Sequence, residues 1–489
     1  MSGLGKRALV LSISRVANYG LMIISPVILV RLLSVENFGA YREFLLYATL
    51  AQSFAAFSIN DSLLYLIPRH PGRTWTIVRQ TMVLTLISSL VVVALMCVAD
   101  WLMSGALVGR FRWPIALYVL FFVNLDFWEG YWLANHRPGP VFGYTIGRLL
   151  VRMLVVVGVA ALTRNVDAII AALIAMEGLR LVAAAMVWRR MAGAGPDAAG
   201  RAASEELRRE QLQFCVPAGL AVVFSMLNRN LGNLAVAKVL GAASLAQYTI
   251  GTFGEPVVVA ARNSLSTVLL PEMVRRNSTA EGDRLALWKR TTVVNCILLF
   301  PIAVVVCWYC SPLITRIFGA NYRAAVPVMQ LYTLVMVREC FDFSPALRAV
   351  NHTRPLMQSN LVAGLVSVAA LYLLMPRWGL VGAMAARIVA SVFDVLFLGY
   401  SVKVAYSIGA AHLLPWRSVV ITAAAALLSG AVLVLPDWTG WLGFAGVFVG
   451  SVLYGVVFFA LLAALGVPEF AAIARRLPGA RGRFAAARH

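Results

Sequence analysis

The sequence predicts an all-α integral membrane protein with about fourteen transmembrane helices: two six-helix lobes related by an internal repeat, plus two C-terminal helices. Three observations lead there. The 489-residue chain is 61% hydrophobic and only 13% charged, with mean hydropathy +0.82, whereas a soluble domain carries roughly 25% charged residues. Apolar runs of about 20 residues, long enough to cross a bilayer as a helix, recur along nearly the whole chain. A short polar break, Arg31-Leu32-Leu33-Ser34-Val35-Glu36-Asn37-Phe38-Gly39-Ala40-Tyr41, returns about 207 residues later as Lys238-Val239-Leu240-Gly241-Ala242-Ala243-Ser244-Leu245-Ala246-Gln247-Tyr248, at the same place in each half.

The first lobe, residues 1–188, holds spans at about 8–33, 41–66, 77–102, 113–134, 142–163 and 167–188. Residues 189–212 form the longest polar stretch. It opens on Arg189-Arg190, passes through Gly193-Ala194-Gly195-Pro196, and ends on Glu205-Glu206-Leu207-Arg208-Arg209-Glu210, which reads as a linker that turns helical at the surface. The second lobe, 213–402, holds spans at about 213–240, 244–271, 291–314, 324–349, 356–375 and 379–402. Two more follow within 403–466, and 467–489 is a basic tail. Lys6 and Arg7 lead into a full-length span, so no cleavable signal is expected.

The net charge of +21 lies in short loops, not in a basic domain, which argues against a nucleic-acid partner. With the N-terminus inside, the even-to-odd loops collect Arg69, Arg73, Arg79, Arg137, Arg189, Arg190, Arg275, Arg276, Arg354 and Lys403, far more than the opposite side. Both termini are therefore expected in the cytoplasm, and the inner surface should attract anionic lipids. No outer loop is long enough to hide a catalytic domain. The five histidines, His70, His136, His352, His412 and His489, all fall in inner loops or the tail, so neither a base nor a metal ligand is expected at membrane depth. The sequence carries no P-loop, dinucleotide fingerprint or His/Cys cluster; no cofactor, metal or catalytic residue is expected. Cys307-Trp308-Tyr309-Cys310 has redox spacing but no redox domain around it.

Ionisable groups inside spans cost a few kcal/mol each, so each is a candidate for function. Several can answer one another: Glu177 with Arg180 at i,i+3, Arg338 with Asp342 at i,i+4, and Arg387 with Asp394 two turns apart. Asp126 and Glu129 can be answered by Arg148 and Arg152, whose i,i+4 spacing also suits an anion. Arg15, close to Asn18 in the first span, and Arg229 in the seventh have no acid within four residues; Arg262 in the eighth lies two turns from Glu255. Arg229 sits in Asn228-Arg229-Asn230-Leu231-Gly232-Asn233, a polar patch that must face protein or water. It is read either as a packing residue or as a phosphate-binding fork. Pro26, Pro217, Pro256, Pro301 and Pro345 permit kinks.

Four stretches carry a family resemblance. They are Leu32 to Tyr41; Asp61-Ser62-Leu63-Leu64-Tyr65-Leu66-Ile67-Pro68-Arg69; Leu269-Leu270-Pro271-Glu272-Met273; and Pro376-Arg377-Trp378-Gly379-Leu380-Val381-Gly382-Ala383. Their order and spacing resemble the polysaccharide-biosynthesis flippases (Wzx-like) of the multidrug/oligosaccharidyl-lipid/polysaccharide (MOP) exporter superfamily. The resemblance implies two lobes in a V, and a cavity lined largely by spans 1, 2, 7 and 8. It also implies translocation of an undecaprenyl-pyrophosphate-linked oligosaccharide across a bacterial inner membrane, with a polysaccharide polymerase and a chain-length regulator as pathway partners. On that reading Arg15, Asn18, Asn228, Arg229, Asn230, Asn233, Arg262, Arg148 and Arg152 are candidate substrate-binding residues, and Glu255 and Asp61 candidate coupling residues. Asn-Arg-Asn in the seventh span replaces an acid that many relatives carry. The alternatives are a lipid II flippase, a multidrug exporter, which would need acids and aromatics in place of arginines, and a membrane polymerase or acyltransferase, which would need a large outer loop or an intramembrane His.

Overall fold

The computed structural model describes residues 24–105, 107–135, 137–192, 201–260, 262, 269, 273, 281–350, 352, 354–434 and 438–470. Among these residues there is no strand. Two compact units divide the chain, Met1–Ala246 and Gln247–His489.

The first unit opens on α1 (residues 24–32) and α2 (Val35–Ala56). Ser34 separates them: its backbone is extended and its hydroxyl accepts the Asn37 N–H at 3.2 Å, a helix N-cap. The unit continues with α3 (Ser62–Arg69), α4 (Thr74–Leu102), α5 (Arg112–Val123), α6 (Trp128–Ala134), α7 (Pro138–Thr163), α8 (Val166–Ala192) and α9 (Arg201–Val239). Pro138 starts α7, where its missing N–H costs nothing. The chain then runs through α10 (Gly241–Gly251) into the second unit, whose helices are α11 (residues 255–260), α12 (Glu281–Ile317), α13 (Ala325–Glu339), α14 (Ser344–Ala349), α15 (Arg354–Ala405), α16 (Trp416–Ser429), α17 (Ala431–Val434), α18 (Trp438–Leu442) and α19 (Ala445–Ala464).

Eight helices among the described residues are long and apolar enough to cross a membrane. The 52-residue α15 covers both the eleventh and twelfth expected spans, because Gly379, at φ 54° and ψ −126°, breaks it into two. Fourteen uninterrupted spans are thus not seen, and one reason is regular. The second and fourth spans of each half are divided: α2/α3 and α5/α6 in the first, α10/α11 and α13/α14 in the second. The internal repeat is therefore visible in the placement of helix breaks as well as in the polar turn.

Each break in the first unit has a local cause. Phe57 and Ser58 take left-handed backbone (φ 40° and 53°), which ends α2. Leu125 does the same after α5 (φ 54°). In a bilayer the carbonyls released there need partners from the protein. Arg180 of α8 supplies them: its Nη2 donates to the carbonyls of Phe121, Phe122 (2.8 Å) and Asn124 (3.2 Å), the last turn of α5 and the residue that follows it.

The residues 201–212, expected as surface helix, are the first three turns of α9 and dock into the first unit. Leu207 is 1% exposed and joins a core cluster with Leu63, Leu66, Ile77, Val78, Phe127 and Trp128. Farther along, α9 and α2 run side by side: Phe57 fills the space where Gly219 lacks a side chain, its Cδ1 2.6 Å from the position a Cβ would take. At the end of the seam Gly39 faces the backbone carbonyl of Ala242, so the two copies of the repeated turn touch.

Gly39→Val should therefore cost about 1–3 kcal/mol through overpacking, whereas Gly72→Ala, at a glycine with open space around it, should change stability by less than about 0.5 kcal/mol. Thermal melts of the two variants in detergent check this; equal melting temperatures would contradict the close approach.

Candidate functional site

In the first unit a four-membered charge network lies behind the α5/α6 break. Arg148 of α7 donates to both oxygens of Asp126 at 3.0 and 2.9 Å and reaches Glu177 of α8 at 3.2 Å. Arg180 bonds Glu177 at 2.7 Å and lies 3.7 Å from Asp126. Tyr144 donates to Asp126 at 3.0 Å, and the Arg148 guanidinium stacks over Phe122. Two cations meet two acids, so the network is neutral overall. It floors a cavity of about 470 Å³ walled by Gly143 and Gly147 on α7 and Leu179 and Ala183 on α8. Arg152, one turn beyond Arg148, lies against the hydroxyl ends of Tyr41 and Tyr118.

The second unit carries two networks. Arg387 of α15 meets Glu255 of α11 through two parallel bonds of 2.7 and 3.0 Å and packs over the Tyr332 ring. Arg262 pairs with Glu339, which also takes Arg338 at 3.0 Å; Arg338 extends to Asp394, and Asp394 accepts the Ser359 hydroxyl.

The Glu177–Arg180 pair forms as its spacing implies. Arg338 and Asp342 do not pair, because α13 ends at Glu339 and Asp342 lies beyond it; its carboxylate caps the Ser344 N–H at 3.0 Å instead. Arg387 and Asp394 are about 10 Å apart along the helix axis, and each finds its partner on a neighbouring helix. Asp126 takes Arg148, while Glu129 forms no ion pair among the described residues. Cys307 and Cys310 are free thiols.

Two of the substrate and coupling candidates differ from the paired groups. Arg229 on α9 is exposed, and among the described residues its side chain has neither a carboxylate nor a hydrogen-bond partner. Beside it, Asn230 donates to the Met226 carbonyl at 2.9 Å and Asn233 to Asn230 at 3.4 Å; Asn228 is half-buried. The second is Asp61, exposed at the α2/α3 break, whose side chain has no hydrogen bond or ion pair among the described residues. Asp61 lines a cavity of about 220 Å³ with Gln52, Ser53, Ser58, Asn60 and Val222. Val222 and Arg229 are seven residues apart on α9, two turns along one face. The α2/α3 break and this stripe of α9 thus present an unneutralised acid, an unneutralised arginine and uncharged hydrogen-bonding groups on one side of the first unit. Arg15 and Asn18 lie outside the described residues.

Sequence reasoning missed one signal at the breaks. Asp126-Phe127 and Asn135-His136 recur at a constant offset of 216 residues as Asp342-Phe343 and Asn351-His352, each with an Arg-Pro pair close behind. Both phenylalanines are buried against a tryptophan, Phe127 on Trp188 and Phe343 on Trp288, at 5.7 and 5.1 Å between ring centres. The Trp288 indole N–H donates to the Asp342 carbonyl at 2.8 Å.

A family model described as "Polysaccharide biosynthesis protein" matches residues 28–327. Among solved structures, the chain is similar to the lipid II flippase MurJ in an inward closed conformation, with TM-score 0.55 and 12% identity over 94% of this chain and 99% of that one. It is similar to an inward-facing multidrug resistance MATE family transporter of the MOP superfamily, with TM-score 0.55 and 12% identity over 80% of this chain and 96% of that one. A mutant of the Vibrio cholerae MATE transporter VcmN gives TM-score 0.50 and 13% identity over 83% of this chain and 95% of that one. At such low identity these likenesses show a shared fold alone. No curated protein sequence matches the chain significantly.

Breaking the two-bond pair between Glu255 and Arg387 should be costly, because it strands a charge at membrane depth: Arg387→Leu is expected to lose about 3–5 kcal/mol. The double variant Glu255→Leu/Arg387→Leu should recover most of that loss. A double-mutant cycle on melting temperature in detergent measures it, and additive losses would rule the coupling out.

Proposed function

The chain belongs to the polysaccharide biosynthesis protein family, and from that premise we propose that it is a flippase for an undecaprenyl-pyrophosphate-linked oligosaccharide. It would move this lipid from the cytoplasmic to the periplasmic leaflet of a bacterial inner membrane, for exopolysaccharide or O-antigen synthesis. The observation that carries the reading is Arg229: an exposed guanidinium on α9 that, among the described residues, has neither a carboxylate nor a hydrogen-bond partner and lies beside three asparagines. A pyrophosphate is the chemistry an unneutralised arginine fork suits. Asn228, Asn230 and Asn233 add amides for phosphate oxygens or sugar hydroxyls, and Arg15 and Asn18 are assigned to the same task from the first span. Arg262, Arg148 and Arg152 contribute less to capture, since Arg262 and Arg148 already hold carboxylates.

The lipid tail stays in the bilayer while the head crosses. With the cell interior negative, outward movement of anionic charge is downhill by about 2.3 kcal/mol per charge per 100 mV. Asp61 has no arginine beside it to fix its charge, so proton exchange there would add to the drive; Glu255, held by Arg387, is less suited to it. A polysaccharide polymerase and a chain-length regulator would act downstream.

The test is flipping of a fluorescent undecaprenyl-pyrophosphate oligosaccharide in proteoliposomes. Arg229→Glu should reduce the rate at least tenfold with an unchanged melting temperature, and Arg229→Lys should retain part of it. Undiminished flipping by Arg229→Glu would remove the site assignment. Faster flipping of lipid II than of the oligosaccharide lipid would move the substrate to the cell-wall precursor, and cationic-drug efflux without lipid movement would favour a multidrug exporter.

A further inference from the structure

The end of the inter-lobe linker does more than connect. Its last turns continue into α9 without interruption and are bound to the first unit by a set of polar side chains. Gln211 is fully buried, and its amide donates to the Ser62 hydroxyl of α3 and the Thr81 hydroxyl of α4, both at 2.8 Å. One turn away Phe214 stacks on Tyr65 of α3, with ring centres 5.2 Å apart. On the other side Glu210 lies 3.0 Å from His70 Nε2 and 3.4 Å from Arg69.

This tied segment ends where both of its helices are interrupted. Pro217 cannot donate to the carbonyl four residues before it in α9. Opposite, Phe57 and Ser58 leave the helical region, and Phe57 packs into the gap at Gly219. Two helices that both lose continuity at one level can bend there together.

We infer that residues 205–215 form a latch, bolted by Gln211, that swings about the Pro217–Phe57 level to open and close the linker end of the α3–α9 seam. The closed latch is built to be released. The Gln211 Oε1 is buried without a hydrogen-bond partner, a standing penalty that exposure to water would remove. The contacts holding it are hydrogen bonds, a surface ion cluster, the Phe214–Tyr65 stack and one buried aliphatic side chain, Leu207. The latch is then a lever: its swing reaches the α2/α3 break and the Asp61 cavity directly.

A native thiol reports on the hinge. Cys215 is 1% exposed, and its Sγ faces the Ser58 carbonyl at 3.9 Å, so it reacts only when the seam opens. Cys340, equally buried in the second unit, serves as the internal control. The full chain in proteoliposomes is treated with a membrane-permeant maleimide, and each cysteine's labelling rate is followed by peptide mass spectrometry. Cys215 should label at least tenfold faster than Cys340, and Gln211→Ala should raise the Cys215 rate a further threefold or more while Cys340 stays unchanged. Thr81→Ala, which removes the acceptor of the same bolt on α4, should act in the same direction. Equal rates at the two cysteines in the unaltered protein, no response to either substitution, or a joint rise at both sites would each overturn the latch. The readout uses no substrate, so its failure is distinct from failure of the flippase assignment.

Discussion

Backbone carbonyls and charged side chains cannot be left facing hydrocarbon, and the structure follows from that constraint. Four spans are broken at matching positions of the two halves, and backbone groups that a break releases inside a bilayer need partners from the protein. Arg180 answers the break after α5 by donating to carbonyls at the end of α5. Having entered the interior for that purpose it needs a counter-charge, which Glu177 provides, and Glu177 in turn admits Arg148 and Asp126. The network is a consequence of the kink, with each charge brought in to satisfy the one before it. Such clusters fix geometry more than they add stability, since removing water from each ion offsets much of the attraction.

This logic separates structural charges from functional ones. A cation whose lone task is to neutralise a carboxylate has no free valence for a ligand. Arg148, Arg180, Arg262, Arg338 and Arg387 are of that kind. Arg229 and Asp61 are not, and they occupy the same unit, one on α9 and the other at the break it packs against. Keeping them unpaired costs the protein in a membrane unless water or a polar ligand reaches them.

Much of the fold was legible because hydropathy and loop charge are local properties. The all-helical, membrane-spanning class followed from them. The Glu177–Arg180 pair was legible for the same reason: both residues sit on one helix, so spacing decides the contact. Glu255 and Arg387 are 132 residues apart in sequence, and only packing of α11 against α15 brings them together. Arg338 misled because the i,i+4 rule assumes that the helix continues, and α13 stops one residue after it. The recurrence of Asp126-Phe127 and Asn135-His136 was readable at the offset of 216 residues and marks the broken spans better than the turn at 31–41 does.

The linker shows how a polar sequence can be misread as solvated. Glu205, Arg208 and Arg209 do face outward, but Leu207 and Gln211, at i and i+4, form one stripe that is buried. A single apolar residue and a single amide are too little pattern for hydropathy to register. They suffice because the helices around them already present Ser62 and Thr81 hydroxyls that would otherwise bond only nearby backbone carbonyls, those of Ile59 and Ile77. Gln211 gives those hydroxyls a second partner across the seam, and this converts a loop end into part of the first unit's core.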